Sequence, residues 1–234
     1  MAGVMGGIIG GGGLLTMPLL FFLDLDASLV IGTSSVASLT TCLSATGVFA
    51  RGDKIKWKTS AQFTALAIPA SLIGSWLVLV SKPEDLKKYV AIVILLCVPL
   101  LFKDEKFGLE RKKVSKAKYA FGMVLYFMAM INATVVPAGA ALVTAILLIG
   151  FMGMKIIEAH ATSLPARVVL LSIACTVFFL NDKVLLPYAL VLGAACFVGG
   201  ILGARIAMKM GNKWVRTAFV CVVLTAAFKM IFEL

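Results

Sequence analysis

The chain has 234 residues, 61% of them hydrophobic and only 14% charged, with a mean hydropathy of +1.05. That composition excludes an ordinary soluble domain, because apolar runs near 20 residues read as membrane helices. The net charge of +11 is carried by short loops between the apolar runs, where the positive-inside rule puts Lys and Arg, so it does not read as a nucleic-acid signature.

Segment 1 covers Ala2–Leu23 and lacks the basic flank and cleavage site of a signal peptide. It is interrupted by GGIIGGGGLLTMP, whose glycines Gly10, Gly11, Gly12 and Gly13 are consecutive. Each glycine costs about 1 kcal/mol relative to Ala in a helix interior. In lipid, a broken backbone survives only when buried in protein or lining a cavity. Segment 2 covers Ala27–Ala50, the basic loop RGDKIKWK follows, and segment 3 covers Thr59–Val80. After a polar link comes segment 4, Tyr89–Phe102, and then the longest polar stretch, Lys103–Lys118. Segment 5, Tyr119–Phe151, carries a second interruption at NATVVPAGAA, with Asn132, Pro137 and Gly139. Segments 6, 7 and 8 cover Ile156–Leu180, Val184–Met208 and Trp214–Phe232. The chain thus divides into an N-terminal repeat (1–102), a basic cytoplasmic linker (103–118) and a C-terminal repeat (119–234), all in one membrane domain.

The halves superpose at a constant offset of 129 residues without a gap from Leu20/Ile149 to Trp76/Arg205, with 11 identities in 57 pairs. Apolar composition alone supplies several of those. The landmarks, however, are polar or glycine: Thr33-Ser34 on Thr162-Ser163, Asp53-Lys54 on Asp182-Lys183, and Gly74 on Gly203. If all eight segments crossed, Lys and Arg would divide 12 to 7 between the two faces; if segments 1 and 5 are re-entrant, they divide 15 to 4. The second arrangement obeys the positive-inside rule better and makes the repeats inverted. Broken but through-going helices, with parallel repeats, are the alternative. The expected fold class is therefore an all-α polytopic membrane protein of two homologous halves, four hydrophobic segments each, the first segment of each half broken. Two interrupted segments in corresponding positions point to a transporter substrate site.

The ordered set GGIIGGGGLLTMPLL, GTSS, GDKIKW and SLIGSWL, then EAHATS, NDKV and GGILGARIAMKM, resembles the TauE/SafE sulfite-exporter family, also called the toluene-sulfonate uptake permeases. The resemblance covers nearly the whole chain. It implies a cell-membrane transporter of small sulfur-containing anions such as sulfite or organosulfonates.

Several residues are candidates for holding such an anion. A helix starting after the glycines presents unpaired N–H groups and a positive dipole end, so Gly10–Gly13 and Gly139 are substrate-binding candidates. Tight helix crossing is the competing use of the glycines. Thr33, Ser34, Thr162, Ser163 and Asn132 offer donors, against the alternative that the hydroxyls bond their own helix backbone. Arg167 lies some 11 residues into segment 6, a depth at which a charge is a functional hypothesis by default. Arg205, near a helix end, is expected to snorkel. His160, the single histidine, could couple protons, but a surface or cap position is the expectation. Cys42, Cys97, Cys175, Cys196 and Cys221 are scattered singly and are read as apolar fillers. No cofactor, metal site or nucleic-acid partner is expected. The partners are the lipid bilayer and a small anion, and a homodimer is compatible with the pattern. An intramembrane enzyme would need a nucleophile–base pair or metal ligands at depth, and the sequence offers neither. A secondary transporter working by alternating access leads; an anion channel using the same site is the alternative.

Overall fold

Two helices too short to span a bilayer open the chain. α1 (Ala2–Ile9) stops at Gly10, whose φ of 75° is left-handed and whose N–H donates to the Gly6 carbonyl at 2.7 Å. Glycine takes that conformation without a Cβ penalty. α2 (Gly13–Phe21) follows at once and doubles back, so that a Cβ on Gly12 would stand 2.6 Å from the Ala2 carbonyl oxygen. In this computed structural model, residues 1–10, 12–21, 23, 25–82, 84–86, 109, 114–137 and 140–232 are described.

Long apolar helices come next: α3 (Ala27–Arg51) and α4 (Trp57–Val80). Segment 4 and most of the linker lie outside the described residues. α5 (Lys116–Val135) starts inside the expected linker, with Ser115 as its N-cap accepting the Lys118 N–H at 3.3 Å. α5 runs through Asn132 and stops three residues later. The reason is Pro137, which lacks an N–H and pushes Val136 (φ −125°, ψ 83°) out of the helical region. α6 (Ala140–Met152) returns toward the start of α5: the Phe121 and Phe151 rings are 5.7 Å apart, and Lys118 Nζ sits 5.9 Å from the Phe151 ring. α7 covers Ile156–Leu180. The last two expected segments lie in α8 (Leu186–Phe232), two helices that meet at a kink at Gly211, where φ is 78° and ψ 177°. No strand occurs among the described residues, and five helices are long and apolar enough to cross a membrane: α3, α4, α5, α7 and the Leu186–Gly211 part of α8. At 1.5 Å per residue, α1, α2 and α6 are each about 12–20 Å long, short of the roughly 30 Å hydrocarbon core.

The helices approach closely where side chains are small. A Cβ on Gly3 of α1 would come within 2.7 Å of the Cys196 Cα of α8, and one on Gly74 of α4 within 2.6 Å of the Thr134 Cβ of α5. Without a hydrophobic drive between helices in lipid, such close backbone packing is what holds them together. Large apolar side chains such as Leu72, Trp76, Met128, Leu190 and Val198 face outward.

α3 and α7 run antiparallel through the centre and are tied by reciprocal bonds. Near the start of α3, Thr33 Oγ1 accepts the N–H of Leu185, just beyond the end of α7, at 3.1 Å. Near the start of α7, Thr162 Oγ1 accepts the N–H of Lys56, just beyond the end of α3, at 3.2 Å. Both helices end in the same turn. Asp53 (φ 51°) and Asp182 (φ 55°) adopt the left-handed region, and the N–H groups of Lys54 and Lys183 reach back to Phe49 and Phe178. A short polar side chain is among the few that tolerate this.

Candidate functional site

The break between α1 and α2 opens onto a narrow cleft with about 10 Å³ of free volume, room for about one water. Gly6, Gly10, Gly12, Gly13 and Thr16 form one wall; Ala37, Ser38, Thr41 and Cys42 of α3 form another; Arg167 of α7 and Cys196 of α8 complete it. The α3 residues are spaced by three and four, so they share one helix face. Arg167 is only 3% exposed, and its Nη1 has no hydrogen-bond partner among the described residues. It is neither paired with a carboxylate among those residues nor snorkelling to the surface. Eleven residues into α7 at 1.5 Å each puts it about 16 Å deep, near the middle of a bilayer core.

The second break meets the first here. A Cβ on Gly10 would overlap the Ala141 Cβ at the start of α6, and would lie 2.9 Å from Arg167 Nη1 and 3.1 Å from His160 Cε1. Absence of that Cβ is what lets these groups converge. His160 is buried at 3% exposure, which corrects the expected surface or cap position. The ring is held edge-on against Phe49 at 5.7 Å and lies beside the Gly7 backbone. Tyr126 of α5 is fully buried, stacked on Phe63 at 4.2 Å, with its hydroxyl likewise unpaired.

Of the residues singled out in the sequence, Gly10, Gly12, Gly13 and Arg167 line this cleft. Gly11 and Gly139 lie outside the described residues. Asn132 borders a separate groove with Leu125, Met128 and Leu147. Thr33 and Thr162 are engaged in the reciprocal bonds above, while Ser34 donates to the Ile31 carbonyl at 3.1 Å and Ser163 to the His160 carbonyl at 2.8 Å. Thr33→Val and Thr162→Val should therefore act on stability. Each strands a backbone N–H at a cost of about 1–3 kcal/mol. The expected readout is a lowered melting temperature in detergent with substrate affinity unchanged. A shifted affinity at normal stability would instead put the hydroxyl in the site. Arg205 is exposed, as snorkelling requires. Cys42 and Cys196, read as fillers, are cleft residues. Their signal was available: Cys42 stands four residues after Ser38, which is the offset-129 counterpart of Arg167.

Beyond the cleft, toward the end where α7 starts, an open vestibule of about 470 Å³ is lined by Asp53, Lys54, Lys56, Lys155, Ile157, Glu158, Met208 and Gly211. Lys56 and Glu158 form an ion pair at its floor. Three lysines against two carboxylates leave the mouth positive, a field that gathers anions.

Residues 1–230 match the family model described as Sulfite exporter TauE/SafE. The chain is 24% identical over 236 residues to a probable membrane transporter protein of Haemophilus influenzae, covering all of this chain and 91% of that one. It is 24% identical over 239 residues to the probable membrane transporter protein YfcA of Escherichia coli K12, covering all of this chain and 87% of that one. It is 23% identical over 235 residues to the probable membrane transporter protein ORF9 of a Sinorhizobium species, covering 99% and 88% of the two chains. No solved structure matches. With apolar spanning helices around a buried cleft and a family match over almost its whole length, this chain is a multi-pass cell-membrane protein that belongs to the TauE/SafE family of membrane transporters.

Proposed function

We propose that the chain is a secondary transporter of small oxyanions, of the sulfite or organosulfonate kind, working by alternating access around the Arg167 cleft. The observation that carries this is a buried guanidinium, its Nη1 without a hydrogen-bond partner among the described residues, in a cleft where two helix breaks converge. Arg offers a planar fork that matches an oxyanion, and the first N–H groups of α2 add donors and a positive dipole end. The sulfur class rests on the family description, Sulfite exporter TauE/SafE.

The same reading makes the halves an inverted repeat with re-entrant first segments. Three features support it. α3 and α7, the equivalent helices, run antiparallel. The chain enters at Lys118 and returns at Phe151 on one side, as a hairpin does. Lys155 joins Lys54 and Lys56 in one vestibule, where parallel repeats would put it on the opposite face. Inverted repeats around a midplane site are the architecture on which alternating access works by rocking one half against the other.

The test is flux of radiolabelled sulfite into proteoliposomes, with sulfate, thiosulfate and small sulfonates as competitors. Saturable uptake, inhibited by some of these and not by cations, is the expected result. Unsaturable conductance would indicate a channel, and no flux with any anion would overturn the reading.

A further inference from the structure

We infer that His160 takes up a proton when a doubly charged anion occupies the Arg167 cleft, so that proton coupling depends on the charge of the cargo. This rests on the anion-transport reading above. His160 Cε1 and Arg167 Nη1 both pack against Gly10, so they lie within about 6 Å of each other, a range over which charges interact strongly away from water; Arg167 lines the cleft and His160 stands behind it. Both are buried; Arg167 Nη1 has no hydrogen-bond partner among the described residues, and the His160 ring lies beside the Gly7 backbone. Polar atoms so placed are costly unless a ligand supplies the missing partners.

Charge balance assigns the role. The empty cleft holds one positive charge, that of Arg167. A monoanion cancels it and leaves a neutral complex. A dianion leaves an excess negative charge in low dielectric, which is expensive. A proton on His160 removes that excess through its charge. With no anion present, the same proton would put two like charges side by side with no carboxylate to offset them. The proton therefore arrives with the dianion and leaves with it. One N–H bond forms on the imidazole as the anion binds and breaks as it departs.

The surroundings leave this task to His160. The other titratable groups near Arg167 are the Cys42 thiol from α3 and the Tyr126 hydroxyl from α5. α1, α2 and α6 bring no titratable side chain. Cys196 of α8 lies on the far wall beside Thr41. Glu158, two residues before His160 on α7, is paired with Lys56 at the vestibule floor. The device is one-sided: the offset-129 counterparts of His160 and Arg167 are Ile31 and Ser38, which carry no charge.

The experiment is isothermal titration calorimetry on the full-length protein in detergent near pH 7. It is run in Tris and in triethanolamine, two buffers that differ in ionisation enthalpy and present no oxyanion. The probes are thiosulfate, a dianion, and methanesulfonate, a monoanion, neither of which titrates in this range. Wild-type protein should take up about one proton per thiosulfate bound and almost none per methanesulfonate. In His160→Gln the uptake should vanish, and thiosulfate affinity should fall roughly tenfold relative to methanesulfonate. Thiosulfate binding without proton uptake, equal uptake for both anions, or uptake persisting in His160→Gln would each overturn the inference while leaving anion binding in place. Failure of wild-type protein to bind either anion would overturn the transport reading itself, and this inference with it. Because the wild-type comparison decides the matter alone, a misfolded variant does not remove the test.

Discussion

Arg167→Met should abolish anion flux without lowering stability. The two effects have opposite physical origins. Losing one partner of a buried, hydrogen-bonded charge pair costs about 2–5 kcal/mol, so affinity should fall roughly 30-fold to several thousand-fold. Stability moves the other way. Arg167 is 3% exposed, and no carboxylate offsets it among the described residues, so the ligand-free fold carries an uncompensated charge. Burying such a charge costs several kcal/mol, and an apolar side chain of similar volume is often neutral or stabilising. The expected signature is a melting temperature equal to or above wild type, with flux lost. Arg167→Lys keeps the charge and loses the planar fork, so it should fall between, down by about tenfold. Arg205→Met, on an exposed position of α8, should leave flux within about twofold, as surface changes do. The reverse outcome, a destabilised Arg167→Met that still transports, would make the arginine structural and leave the cleft without its anchor.

Apart from segment 4, which lies outside the described residues, the apolar runs are legible in the sequence, and the helix ends at Ile9 and Val135 fall beside the Gly10 run and Pro137, because lipid penalises an unpaired backbone. Arg167 was legible for the same reason: charge at depth is expensive wherever the chain folds. Other features depended on three-dimensional neighbours. His160 looked like a cap because it sits four residues into a helix, and only the packing of Phe49 and Gly10 shows it to be buried. Thr33 and Thr162 stand out as a pair at the 129-residue offset, and both make the same kind of folding contact. Each holds the strap that leaves the other's helix, an arrangement between residues 152 and 106 positions apart that no local pattern could reveal. Asn132 was drawn into the break because its neighbours are turn formers, yet the helix ends only where Pro137 ends it. Cys42 and Cys196 are buried, as apolar fillers are, and also border the cleft, because a thiol among apolar residues reads the same on a cleft wall as in a core.

Gly10→Ala should cripple both folding and flux, and Ala141→Gly should partly restore them. At φ 75°, a side chain pays about 1–2 kcal/mol for the left-handed backbone. The new methyl would also overlap the Ala141 Cβ and crowd Arg167 Nη1 and His160 Cε1. Overpacking of this kind costs about 1–3 kcal/mol where nothing can shift. The sum, roughly 2–5 kcal/mol, is a large part of a domain's stability, so the melting temperature should drop clearly. Deleting the Ala141 methyl removes the overlap but not the backbone strain. The double variant should therefore recover about 0.5–3 kcal/mol as a coupling term, with flux rising from its single-variant floor. Gly47→Ala is the matched control. It lies inside α3, exposed, with nothing within 4 Å of a new Cβ, so it should hold or raise stability by about 0.5–1 kcal/mol. Without rescue, the harm would come from the φ angle alone, and the contact between the two breaks would not be what shapes the cleft. With rescue, Gly10 and Ala141 are shown to meet in the working protein, which is the one contact on which a site shared between two broken segments depends.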